Sequence, residues 1–129
     1  MAVDDLTKWI GVRWDDPETT RVTVRPELMN QGGLLSGVVA FTLIDYGMGS
    51  TLWPHTTEDE MIATLNIAIT YLRTAREGDV VCRTQLDRRT RTNAALRSEV
   101  VHEASGDLIA TAVGSYAIFS RTRANTNPS

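Results

Sequence analysis

The sequence has very little of what builds disulfide frameworks and protein-only metal sites. Among 129 residues it has one cysteine, Cys82, and two histidines, His55 and His102. A single cysteine excludes an internal disulfide, and a zinc site normally draws four ligands from cysteine, histidine and carboxylate side chains. We therefore expect a reducing compartment, no metal and no other cofactor.

Long hydrophobic runs are also missing. The longest uncharged apolar run, Leu34 to Ile44, is far shorter than the ~20 residues that span a bilayer. The first residues carry two acids, Asp4 and Asp5, where a secretory signal has positive charge. These features predict a cytoplasmic protein that does not enter a membrane.

Positive charge is not in excess either. Thirteen basic against sixteen acidic residues give a net charge of −3, which argues against nucleic acid as a partner. With 42% apolar and 22% charged residues, the chain has the composition of one globular domain. We expect a single domain over residues 1–120, followed by a polar tail over residues 121–129.

Hydrophobic periodicity predicts one long helix among strands. The helix is expected from Leu35 to about Leu52, ended by Trp53-Pro54, and a short helical turn over Asp5 to Ile10. Strands are expected at Gly11–Trp14, Thr20–Arg25, Ile62–Leu72, Asp79–Asp87, Ala94–Glu103 and Asp107–Phe119. A helix this apolar must be wrapped, so the fold class is α+β, with a curved antiparallel sheet of five to six strands around one central helix.

Within the strand at residues 62–72, side chains alternate without interruption. Ala63, Leu65, Ile67, Ile69 and Tyr71 are predicted on one face, and Thr64, Asn66, Ala68 and Thr70 on the other.

One carboxylate stands out in the helix. Asp45 is the only charged residue among the thirty between Glu27 and Glu58. Burying an unpaired carboxylate costs several kcal/mol, so such a residue usually has a partner or a purpose. The alternative is a helix position that faces solvent or a second subunit.

Two further features carry possible chemistry. Small residues over 30–37 surround the helix entrance, where bare backbone amides and the helix dipole favour an oxygen that gains charge. Residues 73–97 hold seven arginines against three acidic residues. That segment is either a solvated strand surface or a docking site for an anion.

The residues around the helix entrance resemble a known family. Asn30, Gly33, Gly37 and Asp45, with Leu35 between them, have the spacing of the Asn-x-x-Gly-x-x-His-Gly-Gly-x(6)-Asp signature of PaaI-like hot-dog acyl-CoA thioesterases. The segments at residues 64–79 and 88–91 and the closing strand from residue 106 are also similar to that family. The resemblance covers about residues 10–119 and implies the hot-dog fold.

The resemblance also implies a function and a set of roles. It suggests hydrolysis of a small or medium acyl- or aryl-CoA, with the Gly37 N–H on the thioester carbonyl and Asp45 as general base or nucleophile. The implied catalytic residues are Asp45, Gly37, Asn30, Thr64 and Ser36, and the implied substrate-binding residues are Val38, Arg88, Arg89, Arg91 and Thr92. The arginines would contact the CoA phosphates, because forked guanidinium groups suit phosphate.

A distance argument adds a second copy of the chain. Gly37 and Asp45 are eight residues apart, about 12 Å of helix rise, whereas a reacting carbon lies ~3 Å from both its oxyanion donor and its attacker. One site must therefore combine Gly37 and Asn30 of one protomer with Asp45 and Thr64 of another. We expect a homodimer, and the resemblance also allows a homotetramer.

The chain departs from the signature at two positions, where the histidine and the second glycine are lost, and this keeps an alternative open. Ser36-Gly37-Val38 replaces His-Gly-Gly, so Ser36 offers a hydroxyl for a cap or a hydrogen bond but no imidazole. A hot-dog protein that binds acyl-CoA without hydrolysing it is the competing interpretation. Asp45 favours the enzyme, because a pure binding protein has no need of that carboxylate.

Two other nucleophiles are weaker candidates. Ser36, Asp45 and His102 have the order of a serine hydrolase triad, but about 13.5 Å of helix rise separates the first two and no Gly-x-Ser-x-Gly elbow is present. Cys82 lies in an alternating strand, which favours a core position over catalysis with His102. We expect His55 in a loop.

Overall fold

The computed structural model describes residues 3–122. The helices are α1 (Asp5–Ile10) and α2 (Gly37–Leu52), and the strands are β1 (Arg13–Asp16), β2 (Thr19–Thr23), β3 (Glu60–Tyr71), β4 (Asp79–Arg89), β5 (Asn93–His102) and β6 (Leu108–Ser120). Short 3₁₀ turns follow β2 (Pro26–Leu28) and α2 (Trp53–His55). The predicted polar tail lies, from residue 123 onward, outside the described part of the chain.

Within residues 3–122, six antiparallel strands form one sheet in the order β1-β2-β4-β5-β6-β3. β2 and β3 flank α2 in sequence but lie far apart in this order, so α2 must cross one face of the sheet. It contacts β2, β3, β4, β5 and β6. The predicted α+β architecture, one long helix wrapped by an antiparallel sheet, is confirmed. No helix in the described range is long and apolar enough to cross a membrane.

α2 begins two residues later than predicted. Ser36 is its N-cap, and the Ser36 side chain accepts a hydrogen bond from the Val38 N–H at 3.2 Å.

The core side of α2 is fully buried at Leu43, Ile44, Met48 and Leu52. These side chains pack against the sheet face that carries Leu96, Val100 and Ile118. The helix is therefore held by burial of its apolar side, as its composition indicated.

Close packing of α2 on β6 depends on a glycine. A Cβ atom placed on Gly114 would lie 2.6 Å from the Met48 sulfur. A Cβ does not sit that close to another atom, so any larger residue there would force the Met48 side chain to shift and would crowd the Asn66 carbonyl oxygen at 3.3 Å.

The first hairpin is shifted from its predicted bounds. β1 lies two residues later than Gly11–Trp14, whereas β2 starts one residue and ends two residues earlier than Thr20–Arg25, because Asp15 and Asp16 belong to the strand and Pro17-Glu18 form the turn. The pairing is irregular between Trp14 and Asp16.

The predicted alternation along β3 is wrong. Thr64 pairs with Tyr116 and Asn66 pairs with Ser115, so Leu65 is an extra residue, a β-bulge. A bulge exchanges the two faces of a strand from that point on. Ile62 and Ile67 therefore both pack on the core, and Thr64 points to the helix side with them.

β3 is the outermost strand beside β6, and none of its twelve residues is fully buried. From Met61 to Leu72 it carries no charge. Long, flat, uncharged edge strands are uncommon in monomers, because their free N–H and C=O groups pair with other chains. Next to this edge the chain also exposes Val38 (68%), Phe41 (40%) and Leu65 (59%).

Candidate functional site

Asp45 lies on the side of α2 that faces β3 and the end of β6. Its side chain is half-buried, and it has partners that the sequence did not predict. Thr64 Oγ1 donates to Asp45 Oδ1 at 2.8 Å, and the Tyr116 hydroxyl lies 2.6 Å from the same oxygen. The lone carboxylate of the helix is thus held by two hydroxyl groups, and no described cation pairs with it.

Tyr116 is a site residue that sequence reasoning missed. It is 3% exposed and stands opposite Thr64 in the pairing of β6 with β3. Its hydroxyl also lies 2.8 Å from the main-chain carbonyl oxygen of Asp45. Burial, together with the hydrogen bond to Asp45, raises the pKa of Tyr116 well above its ordinary value, so the group remains a donor through the neutral and mildly alkaline range.

The sequence contains only a weak signal for Tyr116, its position in an apolar strand. A tyrosine in an apolar strand usually finds a partner for its hydroxyl. Its partner, however, is 71 positions away in sequence, and nothing in the local pattern indicates which polar group that is.

An open groove surrounds the Asp45 carboxylate. Its volume is about 260 Å³, and it is lined by Asp45, Tyr46, Gly49, Ile62, Ala63, Thr64 and Tyr116. Tyr46 donates from its hydroxyl to Asp4 at 2.6 Å, away from Asp45. The groove is therefore apolar apart from one carboxylate and its hydroxyl donors.

The helix entrance forms a second groove of about 370 Å³. Its lining includes Asn30, Leu35, Gly37 and Tyr71. Asn30 Oδ1 accepts from the N–H groups of Gly32 and Leu34, so the Asn30 side chain shapes the loop before α2. The Tyr71 hydroxyl donates to the Gly37 carbonyl at 2.9 Å.

The first-turn amides of α2 differ in how they are satisfied. Val38 donates to the Ser36 side chain and Val39 donates to the Ser36 carbonyl. Within residues 3–122, no acceptor is bonded to the Gly37 N–H. Ser36 thus serves as the cap of the helix, and Gly37 retains a free donor at its positive end.

The structure separates the predicted catalytic residues into two groups. Asp45 and Thr64 line the first groove, Asn30 and Gly37 line the second, and the two grooves share no residue. Val38 is exposed on the surface of α2 near the helix entrance. A larger cavity of about 540 Å³, lined by Trp14 and Trp53 among others, contains none of the predicted site residues.

The predicted phosphate-binding residues lie on the β4–β5 hairpin. Arg88, Arg91 and Thr92 are exposed, and the two arginines form no ion pair with any residue from 3 to 122. Arg89 is different, because it forms a 2.6 Å ion pair with Glu60 and donates to the His55 carbonyl. That carbonyl belongs to the 3₁₀ turn after α2, where a loop had been expected.

The weaker nucleophiles do not form catalytic pairs. The two ring nitrogens of His102 contact the Ser105 hydroxyl and the Glu77 carbonyl, and neither contacts Asp45 or Cys82. Cys82 is fully buried, and burial raises the pKa of its thiol. A core role for Cys82 is confirmed.

Solved structures with this architecture are numerous. The BH2602 protein from Bacillus halodurans, crystallised with CoA, is similar with a TM-score of 0.85 and 16% identity, over 92% of this chain and 78% of its own. Thioesterase HI1161 from Haemophilus influenzae has a TM-score of 0.83 and 16% identity, over 92% and 85%. A phenylacetic acid degradation-related protein from Ralstonia eutropha has a TM-score of 0.78 and 21% identity, over 91% and 92%. These similarities establish the hot-dog fold.

The sequence itself carries the family assignment. No curated protein matches the chain significantly. Residues 32–109, more than half of the chain, match the thioesterase superfamily. This range holds the helix entrance, Asp45, Thr64 and the arginine hairpin. The chain belongs to the thioesterase superfamily.

Proposed function

We propose that this protein is a PaaI-like acyl-CoA thioesterase that hydrolyses a small or medium acyl- or aryl-CoA. The observation that supports the proposal best is the exposure and hydrogen bonding of the Asp45 carboxylate. It is a half-exposed carboxylate in an apolar groove, held by hydroxyl donors on one oxygen and compensated by no described cation. Such a group has the position and the free lone pairs of a base that acts on water.

Hydrolysis needs a proton acceptor and an oxyanion donor at one thioester. Asp45 takes a proton from water, and the water oxygen attacks the thioester carbonyl carbon. The Gly37 N–H donates to the oxygen that becomes negative, at the positive end of α2. The C–S bond then breaks, and the CoA thiolate takes the proton that Asp45 holds, so the products are the carboxylic acid and CoA.

Two copies of the chain supply one site. Asp45 and Gly37 lie in separate grooves of one protomer, about 12 Å apart along the helix. The uncharged edge of β3 and the exposed side chains of Val38 and Phe41 lie beside Asp45 and form the surface through which a second copy binds. We call this surface the edge face. In the dimer, Gly37 and Asn30 of one protomer face Asp45 and Thr64 of the other.

The CoA end of the substrate binds at the arginine hairpin. Arg88 and Arg91 project from it without intramolecular ion pairs in the described chain, so their guanidinium groups are available to phosphate. Thr92 adds a hydroxyl at the same turn. Ser36 has no catalytic step in this scheme, since its side chain accepts the Val38 N–H.

The experiment compares the parent with Asp45→Asn on a panel of short, medium and aryl acyl-CoA substrates, with release of the CoA thiol as the signal. The amide keeps an oxygen for Thr64 and Tyr116 but cannot accept the proton. We expect kcat to fall about 10²- to 10⁴-fold. Because Asp45 is half exposed and already has two donors, we expect the stability of the variant to stay within about 1 kcal/mol of the parent.

The same measurements decide between hydrolysis and the competing function, binding of acyl-CoA without turnover. If the parent binds acyl-CoA by calorimetry but releases no thiol from any substrate, the protein is a non-catalytic acyl-CoA-binding member of the fold. If Asp45→Asn turns over normally, the assignment of Asp45 as the base is wrong.

A further inference from the structure

We propose that Tyr116 is the positioning residue of the site: together with Thr64 it occupies Oδ1 of Asp45, so that Oδ2 is the reacting oxygen. The inference rests on the proposed function and deepens it, because it assigns the chemistry to one atom of the carboxylate and to a tyrosine on β6. Tyr116 does not touch the substrate in this scheme. It acts through Asp45.

The geometry selects between the two carboxylate oxygens. Both hydroxyl donors are directed at Oδ1, at 2.6 Å from Tyr116 and 2.8 Å from Thr64. No residue in the described range donates to Oδ2. A carboxylate oxygen that already accepts two hydrogen bonds is a poorer proton acceptor than its free neighbour. Oδ2 is thus the better proton acceptor of the two oxygens.

Tyr116 also fixes the orientation of the Asp45 side chain. Its single hydroxyl proton lies within reach of both the side-chain oxygen Oδ1 and the main-chain carbonyl oxygen of Asp45. One buried hydroxyl therefore connects the two ends of the aspartate and restricts its rotamer. Preorganisation of this kind is what a base needs, because a misplaced acceptor loses rate.

The strand pairing explains how these two donors meet. Thr64 and Tyr116 are directly opposite each other on β3 and β6, immediately before the Leu65 bulge. The bulge leaves Thr64 on the helix side together with Tyr116. Bulges beside active sites re-aim side chains in this way.

The Asp45 groove contains few other groups that removal of the Tyr116 hydroxyl would affect. The titratable groups lining the Asp45 groove are Asp45, Tyr46 and Tyr116. Tyr46 is directed at Asp4, and no arginine or lysine in the described chain lines this groove. A loss of turnover on removal of the Tyr116 hydroxyl is therefore attributable to its lost contact with Asp45.

The test uses the full chain with Tyr116→Phe, which keeps the ring and removes the donor. Steady-state turnover of acyl-CoA is measured for the variant and the parent. We expect kcat to fall roughly tenfold or more, because hydrogen bonds to charged groups are strong, and KM to stay close to the parent value, because Tyr116 does not touch the substrate. In an Asp45→Asn background, Tyr116→Phe should have little further effect on kcat.

Ser98→Ala is the matched control. It removes another buried hydroxyl bond of the sheet, the 2.7 Å contact between Thr84 and Ser98, and neither of these residues hydrogen-bonds to Asp45. This variant should lose stability without lowering kcat. If Tyr116→Phe melts lower but keeps the parent kcat, the residue is merely structural and the proposal is overturned.

Two further outcomes separate this proposal from the proposed function. A parent protein that releases no thiol from any acyl-CoA overturns the thioesterase itself, whatever Tyr116→Phe does to stability. A parent that is active, with Tyr116→Phe equally fast at every pH, supports the thioesterase and overturns the positioning role.

Discussion

Arg89 and Glu60 form an ion pair of 2.6 Å that joins the β4–β5 hairpin to the first residue of the edge strand. Two hydrogen bonds hold the pKa of Glu60 below its ordinary value. The larger effect comes from the Thr57 N–H and the next from the Arg89 guanidinium group. The three arginines of the hairpin are therefore not equivalent: Arg89 holds structure, and Arg88 and Arg91 are free to bind an anion.

The double variant Arg88→Ala and Arg91→Ala should raise KM for acyl-CoA and leave kcat unchanged, because it removes contacts that are equal in the ground and transition states. Hydrolysis of a thioester that lacks the nucleotide should be almost unaffected. The effect on KM should shrink at high salt. Steady-state kinetics on both substrates checks this, and equal losses on both would show that the arginines are only a solvated surface.

Arg89→Ala should behave differently from its neighbours. It leaves Glu60 and the His55 carbonyl without their partner, so the main expected result is a lower melting temperature with little change in KM. It is the matched control for the double variant.

The edge face should control both assembly and activity. Phe41→Glu places a charge on an exposed apolar position of α2, so it should barely change the folding of one protomer but should dissociate the dimer. Turnover should disappear with dissociation. Val113→Lys, on the outer face of β6 and 61% exposed, should keep the dimer and its activity. Sedimentation velocity measures assembly, and a fully active monomer would contradict the shared site.

The oxygen that reaches the product distinguishes a base from a nucleophile at Asp45. In a single turnover in ¹⁸O-labelled water with enzyme in excess, a general base places the label directly in the carboxylic acid. A nucleophilic Asp45 would displace the CoA thiolate to form a mixed anhydride, and attack of water on the Asp45 carboxyl carbon would then release an acid that carries an unlabelled Asp45 oxygen. Mass spectrometry of the acid measures the difference, and we expect label in the first turnover.

Ser36 should contribute to stability through its cap. Ser36→Ala removes the acceptor for the Val38 N–H and should cost about 0.5–2 kcal/mol, whereas Ser36→Gly should cost only a few tenths. Chemical denaturation of both variants checks this. If both lose the same amount, the hydroxyl is not the cap, and a catalytic role for Ser36 must be reconsidered.

The tyrosines should resist ionisation in the folded protein. The hydrogen bond to Asp4, with burial, raises the pKa of Tyr46 to about 12, and burial raises the pKa of Tyr71 and Tyr116. Phenolate absorbance should therefore stay low near pH 10, where unfolded tyrosine is half ionised.

The sign of the stability effect follows from the same shift. A raised pKa in the folded state gives stabilisation that is complete below about pH 10 and is lost as the pH rises toward about 12. Tyr46→Phe should flatten the stability curve in that window. An unchanged curve would contradict the Tyr46–Asp4 hydrogen bond.

Much of the architecture was predictable because it depends on local patterns. The apolar segment before Trp53-Pro54 predicted α2, and Ser36 is a good cap, although the predicted start was two residues early. Alternation predicted the three strands that follow, β3 to β5, since each needs only one buried face. Asp45 was identifiable from its isolation among uncharged residues.

Other features depended on tertiary contacts and were not predictable. The Leu65 bulge is a property of how β3 pairs with β6, so uninterrupted alternation in the sequence placed Thr64 on the wrong face. Arg89 was grouped with its neighbours because nothing local links it to Glu60. The pairing also brings Tyr116 to Asp45, a contact that no local spacing encodes.

The sequence by itself determined which segments are helix and strand, and it marked one carboxylate and one glycine-rich helix entrance as unusual, because such signals come from residues near one another in the chain. Only the tertiary structure decided which oxygen of Asp45 is held, and by which hydroxyls. Those properties arise from packing between residues that are distant in sequence, where the geometry of the sheet rather than the local pattern sets the distances.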